Sequence, residues 1–111
     1  MYFVVIRERG PAWDGSRPLR EQDGWPEHAE FMEALVDDGF VLLGGPVGDG
    51  VRTVLVVDAA SERAIRDRLD ADPWTPTGHL RTASVERWEV LLGELEQLRD
   101  RRPVPRGRGD A

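Results

Sequence analysis

Two residues in this sequence have the types and positions that suit acid–base chemistry, His28 and Asp72. His28 lies near the start of a predicted helix over residues 25–39. Counting back three and four residues from Phe31 and Met32 reaches His28, so the imidazole lies on the apolar stripe of the helix. A titratable ring near a helix N-terminus thus faces the same way as the core side chains.

Asp72 is placed just past the end of a second predicted helix, between residues that restrict its surroundings. Pro73 fixes the backbone there, and Trp74 can exclude water. A carboxylate in this position is expected either to have a raised pKa or to orient a histidine. If the start of the first helix meets the end of the second, His28 and Asp72 form a dyad. The alternative is that His28 is half exposed in a first turn and that Asp72 only caps a turn.

The dyad has a clear chemical logic. Asp72 would accept a hydrogen bond from one imidazole nitrogen and fix the tautomer, and the other nitrogen would then exchange a proton with a substrate carbon or hydroxyl. Trp74 and Trp13 are candidates for the apolar wall of a pocket, although a loop Trp13 that is simply exposed is an equal alternative.

The remaining candidates are weaker. Gly45 and Pro46 are candidate substrate-binding residues, because glycine lets a ligand approach the backbone closely, but a plain turn explains them equally well. We expect His79 to be an edge histidine in solvent. No metal site is predicted, since no pair of histidines and carboxylates has ligand spacing.

The apolar and turn-forming residues predict six main elements in the order strand, helix, strand, strand, helix, strand. They are expected at about residues 2–6, 25–39, 40–43, 51–57, 61–70 and 80–92. A long loop over residues 8–24 joins the first two. The second strand is expected to end at residues 44–46, and turn-forming residues 47–50 then join it to the third strand as a hairpin. This order predicts a ferredoxin-like α+β protomer, an antiparallel sheet with two helices on one face.

Strands one, two and three are almost continuously apolar, which is not typical of a sheet with one face in water. Two helices cover one face, so we expect a second copy of the chain to cover the other. The protein is therefore predicted to be a homodimer in which two sheets face each other as an α+β barrel. A short, generally hydrophobic chain is the alternative explanation.

Composition narrows the class of protein. The 111 residues contain 15 arginines, no lysine, no cysteine and 21 acidic residues, for a net charge of −6. An acidic body argues against nucleic-acid binding. No apolar run is long enough to span a bilayer, so the default expectation is a cytoplasmic protein without membrane contact. One domain is predicted over residues 1–93, followed at 94–111 by a short helix to about residue 102 and a disordered, Arg-rich tail.

Several motifs in fixed order resemble the YCII-related (YciI-like) family. They are His28 with Phe31 and Leu35, then residues 39–46 (GFVLLGGP), residues 70–74 (DADPW), Gly78, and the strand end at residues 85–88 (VERW). The resemblance covers about residues 1–91. It implies a dimeric α+β barrel and an active site in which His28 and Asp72 take the places of the family's histidine and aspartate. The 8–24 loop and the Arg-rich tail depart from the family pattern.

The resemblance implies a range of activities, since some members are similar to dehydrochlorinases acting on chlorinated hydroxyquinols. Our leading hypothesis is a cofactor-independent lyase or isomerase acting on a small, oxygenated ring compound. Heme use is not expected, because the helix histidine is the one that the dyad needs. The alternatives are a non-catalytic module that binds a metabolite or docks on a protein, and a structural dimer with a vestigial pocket.

Overall fold

The computed structural model describes residues 1–94. Its elements, in chain order, are β1 (Tyr2–Arg9), α1 (Trp25–Asp37), β2 (Val41–Val47), β3 (Arg52–Asp58), α2 (Glu62–Asp70), α3 (Trp74–Thr77) and β4 (Leu80–Arg87). A single turn of 3-10 helix, Leu19–Glu21, interrupts the long connection between β1 and α1. The C-terminal helix and the tail that the sequence predicts fall almost entirely outside the described residues.

The four strands form one antiparallel sheet in the order β2-β3-β1-β4. This is the predicted ferredoxin-like α+β arrangement, with β1 and β3 in the centre. The register places Val5 of β1 beside Leu55 of β3 and Val85 of β4. These three side chains therefore share one face of the sheet.

Local sequence explains where the helices begin and end. Gly24, with φ of 80°, precedes α1, and Pro26 occupies a first-turn position where no backbone N–H is needed. Gly39, with φ of 79°, follows α1 in the left-handed conformation typical of a helix end. The Ser61 hydroxyl caps α2 by accepting a hydrogen bond from the N–H of Ala64 at 3.1 Å.

The core lies between the helices and one face of the sheet. It contains apolar side chains from β1, β3 and β4 together with Leu35 of α1 and Ile65 and Leu69 of α2. Val36 lies four residues after Met32, so helical spacing predicts it on the same apolar stripe, but it is 44% exposed. The opposite face of the sheet carries Val4 and other side chains that alternate with the core residues, and both main helices lie on the first face.

Three strand boundaries differ from the sequence prediction. β1 runs to Arg9, three residues beyond its predicted end and two residues into the predicted loop. Gly44, Gly45 and Pro46 belong to β2 and do not form a turn, so β2 runs to Val47. Because β2 is an edge strand, the missing N–H of Pro46 is tolerated there. The last strand ends at Arg87, five residues earlier than predicted from the apolar side chains that continue to Leu92.

Within residues 1–94, each helix is too short or too polar to cross a membrane.

Candidate active site

His28 and Asp72 are in direct contact. The Nδ1 atom of His28 lies 2.9 Å from each carboxylate oxygen of Asp72. His28 is in the first turn of α1, and Asp72 lies two residues beyond the end of α2. Because an ionised carboxylate only accepts hydrogen bonds, Nδ1 carries the proton and donates it to Asp72. The contact thus fixes the tautomer and leaves Nε2 as the free nitrogen of the neutral ring.

Asp72 is completely buried and serves three donors. Besides His28, its carboxylate accepts from Nη1 of Arg7 at 2.8 Å and from the backbone N–H of Trp74 at 2.9 Å. The bond to Trp74 closes the turn through Pro73 that leads from α2 to α3. The carboxylate therefore ties together β1, the start of α1 and the connection between α2 and α3.

The pKa of Asp72 reflects a competition. Burial raises it, but the hydrogen bonds from His28 and from the Trp74 N–H, together with the electrostatic effect of His28 and Arg7, outweigh that effect. The net result is a pKa below the ordinary value of 3.8. The raised pKa that the apolar neighbours suggested as one outcome is therefore wrong, because those neighbours come with three donors.

Arg7 is the site residue that sequence reasoning missed. It lies on the core-facing side of β1, in alternation with Phe3 and Val5, and only 1% of it is exposed. Its Nη2 donates to Oγ1 of Thr75 at 2.8 Å, and burial lowers its pKa despite the opposing effect of the Asp72 charge. Arg7 lies just past the predicted end of the first strand, so the sequence did not show it as an inward residue that needs a buried partner.

Trp74 forms the aromatic centre of the site. Its indole stacks on the imidazole of His28, with ring centroids 4.0 Å apart and planes within 10°. Nε1 donates to the carbonyl of Asp23 at 2.8 Å, beside Gly24, where a Cβ would lie 3.1 Å from that nitrogen. The indole is thus held by the chain just before α1, and it fixes one face of the His28 ring.

A cavity of about 330 Å³ opens beside the dyad. A volume of this size accommodates a single-ring ligand. Its wall combines indole rings, aliphatic side chains, glycines and two arginines; the lining residues are Arg7, Arg9, Trp13, Leu19, Trp25, His28, Met32, Gly44, Gly45, Pro46, Gly50, Thr53, Trp74 and Leu80. The imidazole of His28 is the titratable group of the dyad that reaches this wall, and Asp72 lies behind it.

The structure brings the sequence-predicted residues to one place. Trp13, Trp74, Gly45 and Pro46 all line the cavity with His28. Trp13 reaches it because the 8–24 loop folds back, so that its ring meets Trp74 edge-on at 5.7 Å. Trp25 and Arg9 also line the cavity and were not singled out from the sequence.

His79 differs from its prediction as a solvent-exposed edge residue. It is 9% exposed and stacks on Trp74 at 5.2 Å, and its Nδ1 lies 2.8 Å from Oγ1 of Thr77. The positive φ of Gly78, 86°, turns the chain so that His79 packs inward before β4 begins. As far as residues 1–94 go, the histidines and carboxylates form no group of three or more that could hold a metal ion.

Comparison with known proteins adds one informative similarity. No protein-family model and no curated protein matches the chain. Among solved structures, it is similar to 5-chloro-2-hydroxyhydroquinone dehydrochlorinase (TftG) from Burkholderia phenoliruptrix AC1100, in complex with 2,5-dihydroxybenzoquinone. The identity is 28% and the TM-score 0.59, over 80% of this chain and 94% of that one. The similarity supports the dimeric α+β-barrel superfamily. Because TftG is by its name a dehydrochlorinase of a small oxygenated ring compound, the similarity is also consistent with a small-molecule enzyme.

Proposed function

We propose that the protein is a small enzyme that performs acid–base lyase or isomerase chemistry on an oxygenated ring compound, using only protein side chains. The observation that supports this best is the hydrogen bond between His28 and the buried Asp72, with His28 in the wall of a ligand-sized cavity. A histidine oriented by a carboxylate at a pocket wall is the arrangement that general acid–base catalysis requires.

The proposed role of each group follows from the tautomer. Asp72 stays ionised and holds Nδ1–H, so Nε2 takes a proton from a ring hydroxyl or a ring carbon of the substrate. The imidazolium that forms is stabilised by the Asp72 charge. In an elimination, the electron pair released by that proton forms the new double bond as the leaving group departs with its own pair. In an isomerisation, Nε2 returns the proton to a different atom.

The aromatic wall supports a ring-shaped substrate. Trp13, Trp25 and Trp74 present indoles to the cavity, and such surfaces pack well against flat, unsaturated rings. TftG, by its name, removes hydrogen chloride from a hydroxylated chlorinated ring, and its complex holds a dihydroxylated quinone. We extend the substrate type, a small oxygenated ring, to this chain by that similarity, with Gly45 and Pro46 as backbone contacts.

We also propose that the working unit is a homodimer, in which the second sheet face of each protomer covers that of the other. The proposal is supported by the apolar side chains on that face and by the similarity to a dimeric α+β-barrel enzyme. The domain of this activity would be residues 1–93.

The test compares two histidine variants on a panel of hydroxylated rings that includes 5-chloro-2-hydroxyhydroquinone. Chloride release and incorporation of solvent deuterium at ring carbons are followed by ion electrode and NMR. The change His28→Gln is expected to lower kcat about 100-fold or more, since it removes the proton-transferring group. His79→Gln is the matched control: it removes the other histidine that packs on Trp74 but has no contact with Asp72, and kcat should stay within a few-fold of wild type.

Two outcomes would overturn the catalytic proposal. One is a His28→Gln variant that turns over as fast as wild type. The other is a wild-type protein that binds these rings and returns them unchanged with no deuterium incorporated, which would favour the non-catalytic binding module.

A further inference from the structure

The charge of the cavity wall is opposite to that of the protein. The chain has 21 acidic and 15 basic residues, yet the ionised side chains that line the cavity are two arginines, Arg7 and Arg9, and no aspartate or glutamate lines it. Arg7 is balanced by its ion pair with Asp72. Arg9 forms no ion pair with any residue in the described part of the chain.

Arg9 is nevertheless held in a definite position. Its guanidinium lies over the ring of Trp13, 4.6 Å from the centroid. On another side, the hairpin turn comes so close that a Cβ on Gly50 would be 3.1 Å from Nη2. The Nε–H of Arg9 is buried and has no acceptor among the described residues. The side chain is thus pre-oriented at the cavity with a desolvated donor left unused.

A partly desolvated cation without a counter-charge is costly to a fold unless a ligand supplies the missing charge. Arginine presents a planar set of N–H donors that suits a carboxylate or another anionic oxygen. The Trp13 ring beneath the guanidinium and the Trp25 ring in the same wall favour a flat ligand, because indole surfaces pack well against planar rings.

We propose that Arg9 is the anion-recognition residue of this cavity, which takes planar rings bearing an ionised oxygen substituent. The group recognised by Arg9 is a negatively charged oxygen conjugated to the ring. It belongs either to a carboxylate or to an acidic ring hydroxyl that is ionised at neutral pH. Arg9 binds this oxygen and thereby positions the ring beside His28. The inference rests on the proposed function in one respect, that this cavity is where the substrate binds.

The experiment measures affinity with two matched ligand pairs by isothermal titration calorimetry at pH 7.5. One pair is 2,5-dihydroxybenzoquinone, whose hydroxyls ionise as vinylogous acids, and its neutral 2,5-dimethoxy analogue. The other pair is benzoate and its neutral isostere benzamide. Wild-type protein is expected to bind the anion of at least one pair about tenfold or more tightly than its neutral partner, the ratio that one charge-assisted contact provides.

Variants assign that preference to Arg9. The change Arg9→Gln should reduce the ratio of anion to neutral affinity to near one, mainly by weakening the anion. Arg9→Lys keeps the charge and should retain most of the ratio. Arg63→Gln makes the same change in net charge on α2, away from the cavity, at a side chain that is 89% exposed; it should leave the ratio unchanged.

Each outcome bears on the proposal. A preference in the quinone pair alone identifies an ionised ring hydroxyl as the recognised group, and one in the benzoate pair alone identifies a carboxylate. Equal affinities within both pairs, no binding of any of the four ligands, or an undiminished preference in Arg9→Gln would overturn it. The affinity results are independent of the turnover test, because His28→Gln can lower kcat whether or not Arg9 binds the anionic oxygen.

Discussion

The carboxylate of Asp72 has three roles at once. The same oxygens that orient His28 also neutralise the buried guanidinium of Arg7 and close the turn before α3. Removing the negative charge therefore has a cost beyond any loss of activity, because a buried cation is left without its partner.

The change Asp72→Asn is expected to lower the free energy of unfolding at pH 7 by about 3–5 kcal/mol, as measured by urea denaturation. The folded-state pKa of Asp72 lies below the ordinary 3.8, so its stabilising effect is complete above that pH and is lost as the pH falls through the lowered value. The difference between wild type and variant should thus shrink below about pH 4. Asp70→Asn, an exposed neighbour, is the control and should cost less than about 0.5 kcal/mol. Equal losses in the two variants would contradict the prediction.

For single residues, the sequence predicted which side of α1 His28 occupies better than it predicted the partners of the buried charges. The spacing around His28 placed its ring on the inner stripe of α1, and the structure sets that ring against Asp72. It did not predict Arg7 as the third member, because the partner of an inward arginine on β1 lies 65 residues away and depends on how α3 returns to the sheet. Such a contact is a property of the tertiary fold and leaves no local pattern.

At the level of the elements, the chain just after β1 passes close to the backbone just before β4, and hydrogen bonds fix this crossing. The Gly10 N–H donates to the His79 carbonyl at 2.8 Å, and the Ala12 N–H donates to the Gly78 carbonyl at 3.0 Å. This crossing is the point from which the 8–24 loop turns back and places Trp13 in the cavity wall.

Gly10→Ala is expected to destabilise the protein by about 1–3 kcal/mol, the usual range for overpacking. Its Cβ would lie 2.2 Å from the Gly78 carbonyl oxygen, a backbone atom that cannot rotate away. Gly15→Ala, in the same loop with open space around its Cα, is the matched control and should leave the urea midpoint unchanged. If the two variants unfold at the same urea concentration, the crossing is looser than the structure indicates.

Element type was predictable where the periodicity was strong, as in α1 and the hairpin of β2 with β3. It failed at Gly44, Gly45 and Pro46, since these residues have turn chemistry in isolation but pair with β3 as an edge strand. It failed also beyond Arg87, where apolar residues continue after pairing with β1 has ended. Strand pairing decided both cases: pairing with β3 extends β2 through Pro46, and the end of pairing with β1 ends β4.

In the whole molecule, the two faces of the sheet have different roles. The core and the cavity lie on the helix side, and the other face carries Val4 and Ile6 in the centre of the sheet, paired in register with Val56 and Val54. The continuous apolar strands predicted such a face from the sequence. The expected partner of this face is the sheet of a second protomer.

Wild-type protein should sediment as a species of twice the 12.5 kDa chain mass. Val4→Asp, which puts a charge in the middle of that apolar face, should shift the protein to the monomer by sedimentation velocity at micromolar concentrations. Val36→Asp makes the same substitution at a 44% exposed position on α1 and should remain a dimer. A wild-type protein that is monomeric at all concentrations, or a folded Val4→Asp variant that stays dimeric, would argue against the proposed assembly.

The distribution of tryptophans has an optical consequence. Trp13, Trp25 and Trp74 lie in the cavity wall, whereas Trp88, the remaining indole of the chain, lies after β4 and is 39% exposed. Three of the four indoles therefore lie where a ring bound in the cavity would change their surroundings. With Trp88 replaced by phenylalanine and the tryptophans excited selectively over Tyr2, all of the tryptophan emission would come from the cavity wall, so a change in it would report ligand binding without a label.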